Sequence, residues 1–369
     1  MRTLFLAILL TTCLLLQAGC QDPEPIRIGF LGGLTTRAAG LSTSGRDGFQ
    51  LAIEEINASG GINNRQVEGI IQDTRGHKET ALQAVHSLVE RKVAAIIGPM
   101  TSQTAVAVVP EINLNKIPMI SPTVSTNQLN GLDDYFFRVY YTNAQAATLL
   151  AERLSTQGNN RIAAIYDLGN KAYTEDWVNH FQGVIERDNG SEVVRIPFDM
   201  RSDTLFIKLA AQAAEANPQG VLILANAVDT AIICQQLAKL SIDLPRYATG
   251  WSYSDDLVQF GGKSVEGLSI IQSANVTDPA PAVQNFVEAY RQRFRAVPNF
   301  PAFHAYDATR MLLSVLEKTT DPEKIREELL KIESFAGLQS DISFDRYGDL
   351  KKPRLHLAKI VNGQFIKTD

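Results

Sequence analysis

The sequence predicts an α/β protein with two successive open sheets, each made mainly of parallel strands. Short β-branched apolar runs alternate with segments of helical period through most of the chain, and this alternation is typical of parallel sheets covered by helices. The apolar runs stop abruptly at Gly, Pro or small hydroxyl residues, as buried strands do. At 369 residues and 45% hydrophobic composition, the chain can bury the cores of two domains.

The first unit has the order β-α-β-α-β-α-β. Its first helix has an apolar stripe at helical spacing and stops at a Gly-Gly pair, which commonly ends a helix. A Gly- and Thr-rich loop leads into this helix from the first strand. The predicted elements are strands at 26–31, 67–72, 93–97 and 117–120, helices at 45–57, 80–91 and 103–113, and an exit segment at 135–140.

The second unit repeats the alternation, which predicts two similar lobes. Its predicted elements are helices at 144–157, 173–189, 205–217, 229–240 and 254–260 and strands at 161–166, 193–196, 220–225, 246–249 and 265–271. Three long helices follow at 282–295, 302–318 and 322–331, and then a hairpin turn at Asn362-Gly363. Because helices after a complete sheet unit need a sheet to cover, we expect the chain to return to the first lobe.

Residues 1–20 have the pattern of an export leader. Arg2 precedes an apolar run over 4–16 that is too short to span a bilayer. The run ends at Cys20 and is followed by polar residues, which resembles a bacterial lipoprotein signal whose Cys becomes the acylated first residue. Gln17 departs from that pattern, and ordinary cleavage nearby is the alternative. We therefore expect a periplasmic or extracytoplasmic protein with a lipid anchor at Cys20.

Composition and motifs argue against several function classes. A net charge of −5 without a Lys/Arg block argues against nucleic acid as a partner. The five histidines are scattered, and Cys234 is expected to be a packed small residue without a disulfide. Asp345 and Asp349 stand in a Gly-containing turn and are interpreted as turn residues. Phosphate-loop and nucleophile-elbow motifs are lacking, so we expect no catalytic residue, cofactor or metal.

Small hydroxyl residues follow two neighbouring strands of the first unit. Ser102 lies at the start of the predicted helix 103–113, and Thr123 and Ser125 follow the strand at 117–120. Ligands of open α/β sheets bind beyond the carboxyl ends of the strands, and a helix N-terminus attracts anions. Our hypothesis is that the three side chains hold a small carboxylate. The alternative is that Ser102 caps the helix and the other two are turn residues.

Five motifs, in this order and spacing, resemble the type I periplasmic solute-binding family. Its best-known members are the leucine/isoleucine/valine-binding proteins of ABC importers. The motifs lie at 28–35, 56–62, 96–102, 118–123 and 344–349, and the resemblance covers about 26–367. It implies the periplasmic binding protein-like I (Venus flytrap) fold, in which two Rossmann-like lobes are joined by a three-segment hinge. The implied lobes are 26–140 plus 273–340 and 141–272 plus 341–369.

The resemblance also assigns the ligand contacts. The Ser102 hydroxyl and N–H would meet the ligand carboxylate, together with backbone groups of Thr123 and the Ser125 hydroxyl. Tyr173 would contact the ligand from the second lobe. Three positions depart from the leucine-type pattern: Leu41 (an aromatic residue in that pattern), Ala227 (near a tyrosine) and Ser252 (on or beside the acid that pairs with the ligand ammonium).

The departure at Ser252 leaves the ligand class open. An unpaired ammonium in a dry cleft is unfavourable, so either another acid serves or the ligand has no ammonium. Asp229 is a candidate acid, and its alternative role is an N-cap. Trp251 and Tyr253 either line an apolar or aromatic subsite or belong to the core.

The resemblance implies a monomeric solute-binding protein of an ABC importer. It would close two lobes on a small carboxylate-bearing ligand, an aliphatic or branched-chain amino acid or a related compound. It would then hand that ligand to an ABC permease in the inner membrane. A ligand-sensing subunit of the same fold is the alternative function, and an α/β hydrolase is the third.

Overall fold

The computed structural model describes residues 23–36, 38–187, 191–200 and 204–368. The strands are β1 (Ile26–Gly32), β2 (Val67–Asp73), β3 (Ile96–Ile97), β4 (Met119–Ser121), β5 (Phe136–Arg138), β6 (Arg161–Asp167), β7 (Glu192–Phe198), β8 (Gly220–Leu224), β9 (Arg246–Ala248), β10 (Ser269–Gln272), β11 (Phe335–Ala336), β12 (Asp341–Ile342), β13 (His356–Val361) and β14 (Gln364–Lys367). The α-helices are α1 (Ala39–Ala58), α2 (Lys78–Glu90), α3 (Ser102–Leu114), α4 (Asn143–Thr156), α5 (Lys171–Ile185), α6 (Phe206–Glu215), α7 (Ala227–Lys239), α8 (Asp255–Gly261), α9 (Pro281–Phe294), α10 (Phe300–Leu316) and α11 (Pro322–Leu330).

The two lobes each contain an open sheet, as the sequence predicts. The first sheet is parallel, with the order β2-β1-β3-β4-β5. In the second sheet, β7-β6-β8-β9-β10 are parallel and follow the same order, and β13 and β14 extend the sheet antiparallel. In this order the chain changes direction between β1 and β3 and between β6 and β8, which opens a crevice at the carboxyl ends of those strands. The predicted α/β fold class is confirmed.

Helix α1 begins six residues earlier than the sequence predicts, at Ala39 rather than 45. Its first two turns carry small and hydroxyl residues, so they lack the apolar stripe that marks the rest of the helix. Ser42 and Ser44 are nevertheless buried there, and the Ser42 hydroxyl accepts the Gly33 N–H at 3.0 Å. Leu41 therefore lies on a helix and not in the predicted loop.

The late helices pack against the first lobe. Helix α10 lies so close to α1 that a Cβ on Gly48 would stand 2.3 Å from the Ala302 carbonyl oxygen, a contact that only glycine allows. The hairpin between β13 and β14 turns at Asn362 and Gly363, which both have positive φ angles, as an I′ turn requires.

The predicted residue bounds of the lobes stay a prediction. The segment after β12 lies beside β5, where the Arg138 N–H donates to the Gly348 carbonyl at 3.0 Å. The rings of Phe137 and Phe344 also meet edge-on, with 5.2 Å between their centroids. The predicted leader and its Cys20 lie outside the described residues. No helix in the described part of the chain is both long enough and apolar enough to cross a membrane.

Candidate ligand-binding site

A cavity of about 290 Å³, which includes space open to solvent, lies between the lobes at the carboxyl ends of the strands. Six of the eight ligand-binding residues that the sequence predicts line it. The lining residues are Leu41, Met100, Thr101, Ser102, Thr123, Ser125, Tyr140, Asn170, Tyr173, Trp251 and Phe300. The structure therefore brings the predicted residues of both lobes together around one space.

Ser102 is the first residue of α3 and is 2% exposed. The helix is capped by Thr101, whose hydroxyl oxygen accepts the Thr104 N–H at 3.4 Å, so Ser102 is not the N-cap. The Gln103 N–H donates to Asn170 Oδ1 at 3.0 Å. In this first turn, the Ser102 N–H is the group for which the described residues supply no acceptor, and it lies at the positive end of the helix dipole.

The loop after β4 adds hydroxyl groups beside this helix start. Ser102 Oγ accepts the backbone N–H groups of Ser125 and Thr126, both at 3.3 Å, which leaves the Ser102 hydroxyl hydrogen as a donor. The Thr123 hydroxyl donates to the Met100 carbonyl at 2.7 Å. The Ser125 hydroxyl is buried and has no hydrogen-bond partner among the described residues. Two hydroxyl groups and one N–H are therefore available to an anion.

Aromatic rings line much of the remaining cavity. Tyr140 stacks on Phe300 with 5.6 Å between the ring centroids, and Tyr173 meets Trp251 edge-on at 5.7 Å. Burial raises the pKa of the Tyr140 and Tyr173 hydroxyls, so both stay neutral. Behind Tyr140, burial lowers the pKa of His304 to about 4, which makes this ring a neutral imidazole at neutral pH.

Asp229 and Ser252 do not line the cavity. Asp229 is fully buried in the first turn of α7, where its carboxylate accepts the Asn226 side-chain amide at 2.6 Å. Asn226 is the N-cap of that helix, since its Oδ1 accepts the Asp229 N–H at 3.0 Å. Ser252 is also fully buried, and its hydroxyl donates to the Thr249 carbonyl at 2.9 Å. Both side chains therefore stabilise local turns of the second lobe.

Direct contacts join the lobes at one side of the cavity. Besides the bond from the Gln103 N–H to Asn170, the Ala172 N–H donates to Gln103 Oε1 at 3.3 Å. A second contact joins the Asn127 N–H to a carboxylate oxygen of Asp176 at 2.8 Å. The Gln103 side chain of the first lobe thus accepts a hydrogen bond from the start of α5 in the second lobe.

A buried ion pair holds the hydroxyl-bearing loop in place. The Arg138 side chain is fully buried, and it donates to Asp349 Oδ1 at 2.7 Å and to the Thr126 carbonyl at 2.8 Å. The other carboxylate oxygen of Asp349 accepts the Gly131 N–H at 3.1 Å. Because Thr126 follows Ser125, this pair fixes the backbone that presents the Ser125 hydroxyl.

A second cavity, of about 440 Å³ including open space, continues from the first and shares Leu41, Trp251 and Phe300 with it. Ala227 and Tyr253 line this second cavity. The Tyr253 ring also packs edge-on against Phe365 at 4.4 Å. The part of a ligand that extends beyond the first cavity therefore has space in this direction.

Sequence reasoning missed several lining residues. Thr101 and Met100 are neighbours of Ser102, so their place could have been found from the same strand-to-helix signal. Asn170 and Phe300 come from distant segments, and nothing in their local sequence marks them. Within the described residues, no group of three or more His, Cys, Asp or Glu side chains is placed to hold a metal ion.

Comparison with known proteins identifies the family. Residues 25–364 match the family described as periplasmic binding protein. The leucine-, isoleucine-, valine-, threonine- and alanine-binding protein of Pseudomonas aeruginosa is 24% identical over 336 residues, which are 89% of this chain and 88% of that protein. A leucine-binding protein of Thermotoga maritima has a TM-score of 0.85 at 25% identity, over 93% of this chain and 98% of that one. A solute-binding protein of an ABC transporter from R. palustris, in complex with benzoate, has a TM-score of 0.84 at 17% identity, over 93% of this chain and 95% of that one. The predicted family is therefore confirmed: the chain belongs to the periplasmic binding protein family.

Proposed function

We propose that this protein binds a small molecule by its carboxylate in the cavity between the lobes and delivers it to an ABC permease. The observation that carries the proposal is the buried Ser125 hydroxyl, which has no hydrogen-bond partner among the described residues. A buried polar group without a partner costs about 1–3 kcal/mol. A ligand that accepts this hydrogen bond would remove that penalty.

A carboxylate fits the donors around this hydroxyl. The Ser102 hydroxyl and N–H stand beside it, and the positive end of the α3 dipole favours a negative charge there. The Thr123 hydroxyl already donates to the Met100 carbonyl and the Thr123 N–H to Ser121 Oγ at 3.4 Å, so Thr123 would support the site by holding the loop that carries Ser125. Tyr173, Trp251 and Leu41 would then contact the rest of the ligand.

The names of the relatives agree with this chemistry. One relative is named for five amino acids, another for leucine, and a third holds benzoate. The group that all these ligands share is a carboxylate. We propose that the ligand stabilises the closed arrangement of the lobes by its contacts with both of them, and that it leaves the protein chemically unchanged.

Calorimetric titration of the purified protein tests the carboxylate requirement. The titrants are leucine, 4-methylpentanoate and benzoate, each with its primary amide as the matched control. We expect at least one carboxylate to bind and its amide to bind about tenfold or more weakly, because the amide has no negative charge for the helix terminus. Equal binding of acid and amide would contradict the proposal. Recovery of a hydrolysed or otherwise altered ligand after incubation would instead indicate an enzyme.

We also propose that Cys20 is acylated and anchors a monomer at a membrane. The proposal rests on the lipoprotein-like pattern of the first 20 residues. Cys20→Ser should move the protein from the membrane fraction to the soluble fraction of cells. An unchanged distribution would show that the anchor is not at Cys20. A dimer mass in light scattering of the soluble variant would contradict the proposal that the protein is a monomer.

A further inference from the structure

We infer that the ligand is a carboxylate whose remaining part is hydrocarbon and which carries no ammonium group. This inference rests on the carboxylate site proposed above, and it narrows the class of ligand that the site accepts.

The cavity offers no charge to pair with an ammonium. Of its eleven lining residues, none has a charged side chain, in the part of the chain that the structure describes. An ammonium enclosed there would lose its hydration, and neutral oxygen atoms would replace that hydration only in part. A carboxylate meets no such problem, since the Ser102 and Ser125 hydroxyls and the start of α3 are donors for it.

Three acids of the second lobe have hydrogen-bond partners outside the cavity lining. Asp176 accepts the Asn127 N–H at 2.8 Å. Asp167 Oδ1 accepts the Gly169 N–H at 2.8 Å, and the Asp229 carboxylate is bonded to Asn226. Neither Asp167 nor Asp229 lines either cavity. Asp256 lies exposed on α8, where it lines the second cavity and a further one but not the first. The ammonium of an α-amino acid is two bonds from its carboxylate carbon, so a ligand anchored at Ser102 keeps that group in the first cavity.

The cavity surface suits hydrocarbon instead. One aromatic pair, Tyr140 and Phe300, lines it beside the first lobe, and Tyr173 and Trp251 line it from the second lobe. Burial of both tyrosine hydroxyls and of the neighbouring His304 keeps these groups uncharged. An aliphatic chain or an aromatic ring gains apolar contact against such a surface without needing an ionic partner.

Matched pairs of acids test the inference by calorimetric titration. The pairs are 4-methylpentanoate with leucine and 3-phenylpropanoate with phenylalanine, which differ only by the α-ammonium. We expect the member without the ammonium to bind about tenfold or more tightly in at least one pair, and no pair to show the reverse preference. Tighter binding of the amino acids would overturn this inference and leave the carboxylate site intact. Lack of binding by every carboxylate, benzoate included, would overturn the proposed function as well.

A charge introduced at Leu41 gives an independent test. Leu41 lines the cavity from the first turn of α1, where a carboxylate is tolerated because it lies near a helix N-terminus. Leu41→Glu should therefore lower the preference for 4-methylpentanoate over leucine, or for 3-phenylpropanoate over phenylalanine, by about tenfold or more. Leu205→Glu is the matched control, because Leu205 is 55% exposed and directly precedes α6. An unchanged preference in Leu41→Glu would contradict the inference that the cavity disfavours an ammonium because it lacks a carboxylate.

Discussion

Replacing Ser125 by alanine should separate binding from folding. The Ser125 hydroxyl is buried, and the described residues supply no partner for it. Its removal therefore takes away an unsatisfied polar group, so the free energy of unfolding of the ligand-free protein should stay unchanged or rise by up to about 1 kcal/mol. The same change removes a charge-assisted bond to the ligand carboxylate, worth about 1.5–3 kcal/mol. Affinity should accordingly fall about 10- to 150-fold.

Two measurements on each variant check this prediction: urea unfolding without ligand, and calorimetric titration with 4-methylpentanoate or, if that fails to bind, benzoate. Ser252→Ala is the matched control, because its hydroxyl donates to the Thr249 carbonyl away from the cavity. The control should lose about 1 kcal/mol of stability and keep its affinity within about threefold. A Ser125→Ala variant that unfolds more easily than the wild type and binds the ligand as tightly would contradict this prediction.

Three further variants test the Ser102 contact, the buried ion pair and the buried Asp307 carboxyl. Ser102→Ala should weaken ligand binding about 10- to 150-fold. It should also lower the free energy of unfolding by about 1–2 kcal/mol, because Ser102 Oγ accepts two backbone N–H groups. Unchanged affinity in titration would contradict the role of Ser102 in binding the ligand carboxylate. Asp349→Ala should lower the free energy of unfolding by about 3–5 kcal/mol in urea, because it leaves the buried Arg138 guanidinium without its carboxylate. Adding Arg138→Met to this variant should recover part of that free energy. Asp307 is buried, and burial raises its pKa from 3.8 to about 7. The folded state therefore binds a proton that the unfolded state has released between these pH values, so the contribution of Asp307 to the free energy of unfolding falls as the pH rises from about 4 to 7. Asp307→Asn keeps an acceptor for the Leu338 N–H and should flatten this pH dependence in urea unfolding. An unchanged slope would show that the proton is bound elsewhere.

The parts of the site that sequence reasoning found depend on local order along the chain. Ser102, Thr123 and Ser125 stand directly after short buried strands, and parallel pairing brings the carboxyl ends of neighbouring strands to one edge. Their proximity could therefore be predicted once the strands were located.

The remaining lining residues depend on long-range packing. Phe300 reaches the cavity because α10 returns to pack on α1, and Asn170 reaches it because the second lobe lies against the start of α3. Asp229 and Ser252 show the opposite limit. Each stands at the position in the chain where a ligand contact is expected, but both side chains form local hydrogen bonds that stabilise a helix start and a turn. The spacing of residues in the sequence does not reveal these bonds.

The start of α1 illustrates how small residues hide a helix. The sequence 39–44 carries too few apolar side chains to show helical period, although the structure places it in a helix and buries two of its serines. Leu41 thus stands on a rigid element that faces the cavity, and this position makes it suitable for the charge test described above.

A crystal structure of the protein with the carboxylate that binds most tightly in these titrations would show directly whether Ser102 and Ser125 hold the ligand. We expect the carboxylate oxygens to lie within about 2.5–3.2 Å of the Ser102 and Ser125 hydroxyl oxygens, with the rest of the ligand between the aromatic pairs of the two lobes. A ligand whose carboxylate lies away from both hydroxyls, or outside the cavity between the lobes, would contradict this expectation.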